Sequence, residues 1–175
     1  MDARRESEAT PMKNRTTVER KSDRELVVTR TFNGPARLVF EAWSKPELFK
    51  QWWVPKSMMG MSLLSCKMDV RAGGKYHLVF GVDGSKVMEV FGTYIEVTPH
   101  SRLVWTNEEG DEGGAVTTVT FEEKGGQTLL VKHDLYPSKA ALDGELASGA
   151  AEGLPEQFEQ LNEFLLTLGA NLGRS

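Results

Sequence analysis

Apolar residues at Leu154, Phe158, Leu161, Leu165 and Leu168 step by four, three, four and three along the C-terminal segment. That spacing keeps one side chain per turn on a single face of an α-helix. Glu152, Glu156, Glu159 and Glu163 repeat the rhythm on the opposite face, where water can solvate them. A helix with one apolar stripe must lay it on a partner surface. The upstream chain offers one, because residues 26–134 read as strand after strand. The expected fold class is α+β: a curved antiparallel sheet of about seven strands wrapped on one long C-terminal helix.

The 175 residues suffice for one domain with a sizeable core and are too few for two comfortable ones. With 39% hydrophobic and 26% charged residues, the composition is that of a soluble globular protein. A net charge of −4 argues against nucleic acid as a partner, since phosphate binding needs clustered basic surface. No apolar run approaches the roughly 18 residues of a membrane helix, so no membrane partner is expected. Asp2, Arg4, Arg5, Glu6 and Glu8 stand where a secretory signal would need an apolar region. Cys66 has no second cysteine to pair with, which fits a reduced, cytoplasmic setting.

Residues 1–22 are polar, aperiodic and interrupted by Pro11, and read as a disordered tail. The folded domain is expected over 23–170, with a short tail at 171–175. It opens with a β-branched strand at 25–32, and Asn33-Gly34-Pro35 then turns the chain into a helix at 36–43. Pro46 opens a second short helix at 47–53, which ends before Pro55. Six strands follow, at 61–70, 75–80, 86–97, 102–107, 115–123 and 127–134. Connections this short require antiparallel pairing. Gly92, inside the third of these strands, is expected to mark a bulge. Ser138 is placed to cap the closing helix, in which Pro155 predicts a kink near Ala151 if the helix is continuous. Residues 140–153 of that helix are rich in Ala and Gly, whereas the stripe from Leu154 is bulky. Bulky residues plug one end of a curved sheet; small ones either leave room beneath the helix or let it approach closely.

Several motifs in this order resemble a known superfamily. Phe32-Asn33-Gly34-Pro35 precedes Val39-Phe40-Glu41-Ala42-Trp43, and Pro46-Glu47-Leu48 precedes Trp52-Trp53-Val54-Pro55. Asp69-Val70-Arg71-Ala72-Gly73-Gly74-Lys75-Tyr76, Gly92-Thr93-Tyr94, Arg102-Leu103-Val104-Trp105 and Ala151-Glu152-Gly153-Leu154-Pro155 follow. Together they resemble the helix-grip fold of the START and birch-pollen-allergen (SRPBCC) superfamily. The branch is that related to the C-terminal domain of the heat shock protein 90 ATPase activator. Leu154 departs from it, that position being commonly tryptophan. The resemblance spans about 25–168 and implies a hydrophobic cavity between sheet and long helix. Superfamily members include lipid and small-molecule carriers, polyketide cyclases and aromatases, and co-chaperone domains, so the fold leaves function open.

Strand alternation selects residues facing such a cavity. Charged Lys75 turns Tyr76, Leu78 and Phe80 inward; Arg102 does the same for Trp105, and Thr118 and Thr120 for Val119 and Phe121. Taking Lys132 as solvated points Val131 and His133 inward. Trp53, Met58, Leu154 and Phe158 complete the expected ligand-binding set, although ordinary core packing is the commoner role for any single residue of the set. His133 and Tyr76 are the candidates for general acid–base chemistry, if hydroxyl and imidazole reach one cavity. The three histidines do not converge, and no metal or other cofactor is expected. Glu108, Glu109, Asp111 and Glu112 lack calcium-loop spacing and read as a solvated turn. The leading expectation is binding of a small hydrophobic or aromatic molecule. The alternatives are a cyclase or hydrolase, or a co-chaperone-like interaction domain; a homodimer and a chaperone partner stay open.

Overall fold

The computed structural model describes residues 15–58, 60–108 and 114–173. Eight strands form one antiparallel sheet: β1 (Thr17–Arg20), β2 (Glu25–Asn33), β3 (Met61–Met68), β4 (Lys75–Val82), β5 (Ser85–Thr98), β6 (Arg102–Thr106), β7 (Val116–Lys124) and β8 (Gln127–Leu135). Their spatial order is β1-β2-β8-β7-β6-β5-β4-β3, a six-strand meander with the N-terminal pair added beside β8. Helices α1 (Ala36–Ser44) and α2 (Pro46–Phe49) connect β2 to β3. After β8 come α3 (Lys139–Ala147), a 3-10 turn (Ala150–Gly153) and α4 (Leu154–Gly173).

The sheet has one strand more than expected, because part of the anticipated N-terminal tail is ordered. Thr17 pairs with Thr29 and Arg20 with Leu26, making β1 an edge strand. All four of its residues are exposed, so no hydrophobic alternation marks it in the sequence. Its backbone ladder holds it, together with Arg20, whose Nη2 lies 2.7 Å from Asp143 Oδ1 of α3. Residues 1–14, with Pro11, lie outside the described residues. At the other end α4 runs to Gly173, past the expected start of a tail at 171.

The core forms where the apolar stripe of α4 meets the inner face of β2. Leu26, Val28, Arg30 and Phe32 alternate inward along β2, and Phe158, Leu161 and Leu165 close over them, each at most 2% exposed. The Phe158 ring stands 5.9 Å from that of Phe32 and 6.1 Å from that of Trp43 on α1. Full burial of side chains this size is worth about 1.5–3 kcal/mol each. The opposite face of α4 is less idle than its glutamates suggested. Glu159 Oε2 accepts from Arg30 Nη1 at 3.0 Å, and Glu156 accepts from the backbone N–H of Ser57 at 2.9 Å. Gln157 and Gln160 donate to the backbone carbonyls of Trp53 and Trp52 at 2.6 and 3.1 Å, fastening the tryptophan loop to α4.

The closing segment is broken rather than kinked. Gly149 takes a left-handed φ of 83° after α3, a conformation glycine reaches without steric cost. The chain restarts as α4 at Leu154, so Pro155 occupies a first turn, where its missing N–H would have had no helical partner. Ser138 caps α3, its Oγ accepting from the Ala141 N–H at 3.1 Å. Gly92 pairs in register with Tyr76, and the irregularities of β5 fall elsewhere, between Phe80 and Gly81 on β4 and between Tyr94 and Glu96 on β5.

Candidate functional site

A cavity of about 470 Å³ lies between the inner face of the meander and α3. Tyr76, Leu78 and Phe80 of β4 and Tyr94 of β5 furnish one wall, Trp105 of β6 stands beside them, and Trp43 and Trp53 roof it from the helical side. Ala141 and Glu145 bring α3 to its rim. The aromatic rings interlock: Tyr76 and Tyr94 lie 5.7 Å apart, Tyr94 and Trp105 6.2 Å, and Trp43 and Trp105 6.0 Å. Trp43 Nε1 is buried with no hydrogen-bond partner among the described residues. Its ring meets Trp52 edge-on at 4.9 Å, so this indole serves chiefly as apolar surface.

One end of the cavity is polar. The Tyr76 hydroxyl donates to the Thr106 carbonyl at 2.9 Å and reaches Asn107 Oδ1 at 3.1 Å. Asn107 Nδ2 donates to Thr117 Oγ1 at 3.0 Å, and the Thr117 hydroxyl donates to Asp134 Oδ1. Asp134 Oδ2 accepts from Lys132 Nζ at 2.7 Å. Asp134 is buried and Lys132 partly so, with side chains 5% and 13% exposed. Tyr136 lines the same end; burial, reinforced by the Asp134 and Glu145 carboxylates, pushes its hydroxyl far above the usual phenol range, so it stays a donor. Burial also raises the Tyr94 hydroxyl and the Cys66 thiol, leaving Cys66 a poor nucleophile.

The residues expected to face a ligand separate into four groups. Trp53, Tyr76, Leu78, Phe80 and Trp105 line the cavity. Val119, Phe121 and Phe158 point inward but are sealed in the core beside it, and Leu154 packs half-buried against that core. Met58 is 44% exposed, away from the cavity.

For Val131 and His133 the expectation is reversed. The buried residues of β8 are Thr128, Leu130 and Asp134, so the opposite parity, with Val131 and His133, faces out. His133 Nε2 sits 2.7 Å from Glu25 Oε2 on that outer face. The acid–base pairing of His133 with Tyr76 is therefore not assembled. The error lies in reading Lys132 as solvated, whereas a lysine beside a buried aspartate can point inward. The available signal was the matched parity of Lys132 and Asp134, opposite charges two apart on one strand face.

The acidic turn falls partly at 109–113, outside the described residues, while Glu108 accepts from Thr93 and Thr106 at 2.7 and 2.6 Å. Among the described residues no group of three or more His, Cys, Asp or Glu side chains could hold a metal ion, and no helix is long and apolar enough to cross a membrane.

No curated protein sequence matches the chain. Among solved structures, a Rhodobacter sphaeroides protein is 21% identical with a TM-score of 0.78, covering 87% of this chain and 99% of its own. A Nitrosomonas europaea protein is 25% identical with a TM-score of 0.75, covering 86% and 99%. A Mycobacterium smegmatis protein is 22% identical with the same TM-score, covering 86% and 96%. The family model described as activator of Hsp90 ATPase homolog 1-like protein matches residues 33–165, from the end of β2 to the buried Leu165 of α4. Spanning so much of the fold, that match places the chain in the family of activator of Hsp90 ATPase homolog 1-like proteins.

Proposed function

We propose that this domain binds a small aromatic or otherwise hydrophobic molecule between its sheet and α3. The observation carrying this reading is the cavity of about 470 Å³, walled by tyrosine and tryptophan rings and ending in a few convergent polar groups. Cavities of about 300–1,000 Å³ with that balance are the usual form of small-molecule sites. A panel of aromatic and aliphatic metabolites, screened by thermal unfolding, tests it. A ligand at about a hundred times its Kd adds roughly 2.7 kcal/mol to the native state, a clear rise in Tm. No rise with any compound would overturn the reading.

The family description favours a second reading, in which the domain contacts heat shock protein 90 and stimulates its ATPase. Pull-down with that chaperone and an ATPase assay separate the two readings, because the second does not require an occupied cavity.

A further inference from the structure

Lys132 occupies a position where an apolar residue would be expected. It pairs with Val28 of β2 on one side and Val119 of β7 on the other, both fully buried. Placing an ammonium there costs desolvation that its attraction to a carboxylate only partly offsets. Its partner Asp134 lies two residues away on the same strand, so the ion pair joins no two elements of the fold. The link from Asp134 to Thr117 spans β7 and β8, which already share a full backbone ladder. The pair thus adds little connectivity, yet both residues line the cavity.

The hydrogen bonds also run one way. Tyr76, Asn107, Thr117 and Lys132 all donate along the polar end, and both oxygens of Asp134 are engaged. An ammonium carries three protons. Asp134 takes one, and among the described residues Lys132 makes no other hydrogen bond. The cavity therefore has donor capacity left over at Lys132. Asp134 already balances the Lys132 charge, and Glu145 adds a carboxylate at the rim, so a ligand anion gains little.

Building on the binding reading above, we propose that Lys132 anchors the ligand through an oxygen acceptor. The preferred ligand class is a planar, uncharged aromatic compound bearing a carbonyl, its rings against the aromatic wall and its oxygen on the lysine. Lys132 is a binding residue here, and no bond is made or broken.

Three probes sharing one ring system test this by isothermal titration calorimetry: 2-acetylnaphthalene, 2-ethylnaphthalene, which lacks the oxygen, and 2-naphthoate, which carries a full charge. On the intact chain the ketone should bind about tenfold more tightly than the hydrocarbon, and the carboxylate more weakly than the ketone. The paired variant Lys132→Met/Asp134→Leu removes both charges together and leaves no buried ion unpaired. In it, the ketone should fall to the affinity of the hydrocarbon while the hydrocarbon binds as before. Circular dichroism of the variant verifies folding; should it be unfolded, Lys132→Arg, which keeps the charge and the donors, must retain the preference for the ketone. Equal affinities for ketone and hydrocarbon on the intact chain would overturn the proposal and leave the binding reading standing. Discrimination surviving in the folded paired variant would overturn it too, as would naphthoate binding best. Failure of all three probes to bind, together with a silent thermal screen, would overturn both readings.

Discussion

Tyr76 closes directly over Gly92: a Cβ built at position 92 would stand 2.7 Å from Tyr76 Cε2 and 2.8 Å from its hydroxyl oxygen. The same Cβ would come within 1.9 Å of the Thr106 carbonyl oxygen, the acceptor of the Tyr76 hydroxyl. Glycine at 92 thus allows the tyrosine ring to lie flat on the strand and reach the polar end of the cavity. Gly92→Ala should cost about 1–3 kcal/mol in chemical denaturation, with strain from overpacking as the cause. A loss under about 0.5 kcal/mol, the usual span of surface substitutions, would show that the backbone yields there easily.

Glu25 and His133 predict an acid-side effect on the outer face of the sheet. The hydrogen bond to His133, then that to Ser22, holds the Glu25 carboxyl below its ordinary value of 4.5. A carboxyl lowered in the folded state contributes stability above its unfolded pKa and loses it as pH falls through the folded one. This contribution is therefore complete at neutral pH and disappears only below about pH 4.5. His133→Ala should raise the Glu25 midpoint toward 4.5 in a carboxyl NMR titration. An unchanged midpoint would assign the shift to Ser22 or Lys21 instead.

Ala141 offers a way to fill the cavity from its rim without touching the aromatic wall. Ala141→Phe adds a ring where α3 borders the space, at a helix position that tolerates it. Ligand-induced rises in Tm should shrink or vanish, while the ligand-free Tm stays within a few degrees of the parent. Differential scanning calorimetry with and without ligand reads both. Full retention of the ligand effect would place the bound molecule elsewhere.

The fold was legible wherever polar residues mark the solvent side of a strand. Lys75 is exposed and sets the phase of β4 correctly, burying Tyr76, Leu78 and Phe80. On β8 the same logic fails, since Leu129, Leu130 and Val131 give no alternation and the deciding residue, Lys132, turns inward, partly buried beside Asp134. One wrong parity was enough to move His133 into the cavity and to hide the polar end from view. The stripe of α4 was readable from its period, but its neighbour α3 was not separable in advance. A glycine signals a break only through the φ it adopts, and Gly149 is one of several in that region. β1 left no trace because a strand exposed along its whole length carries no hydrophobic code.

The interruption at Gly149 has a mechanical corollary. The helix that welds the sheet together and the helix that borders the chamber are separate rods joined by a short swivel. The bordering rod is anchored by the fully buried Leu142 and tied to the edge strand by Asp143, paired with Arg20. Residues 139–147 border the chamber without belonging to the weld, so a relative with a different cargo should differ there first.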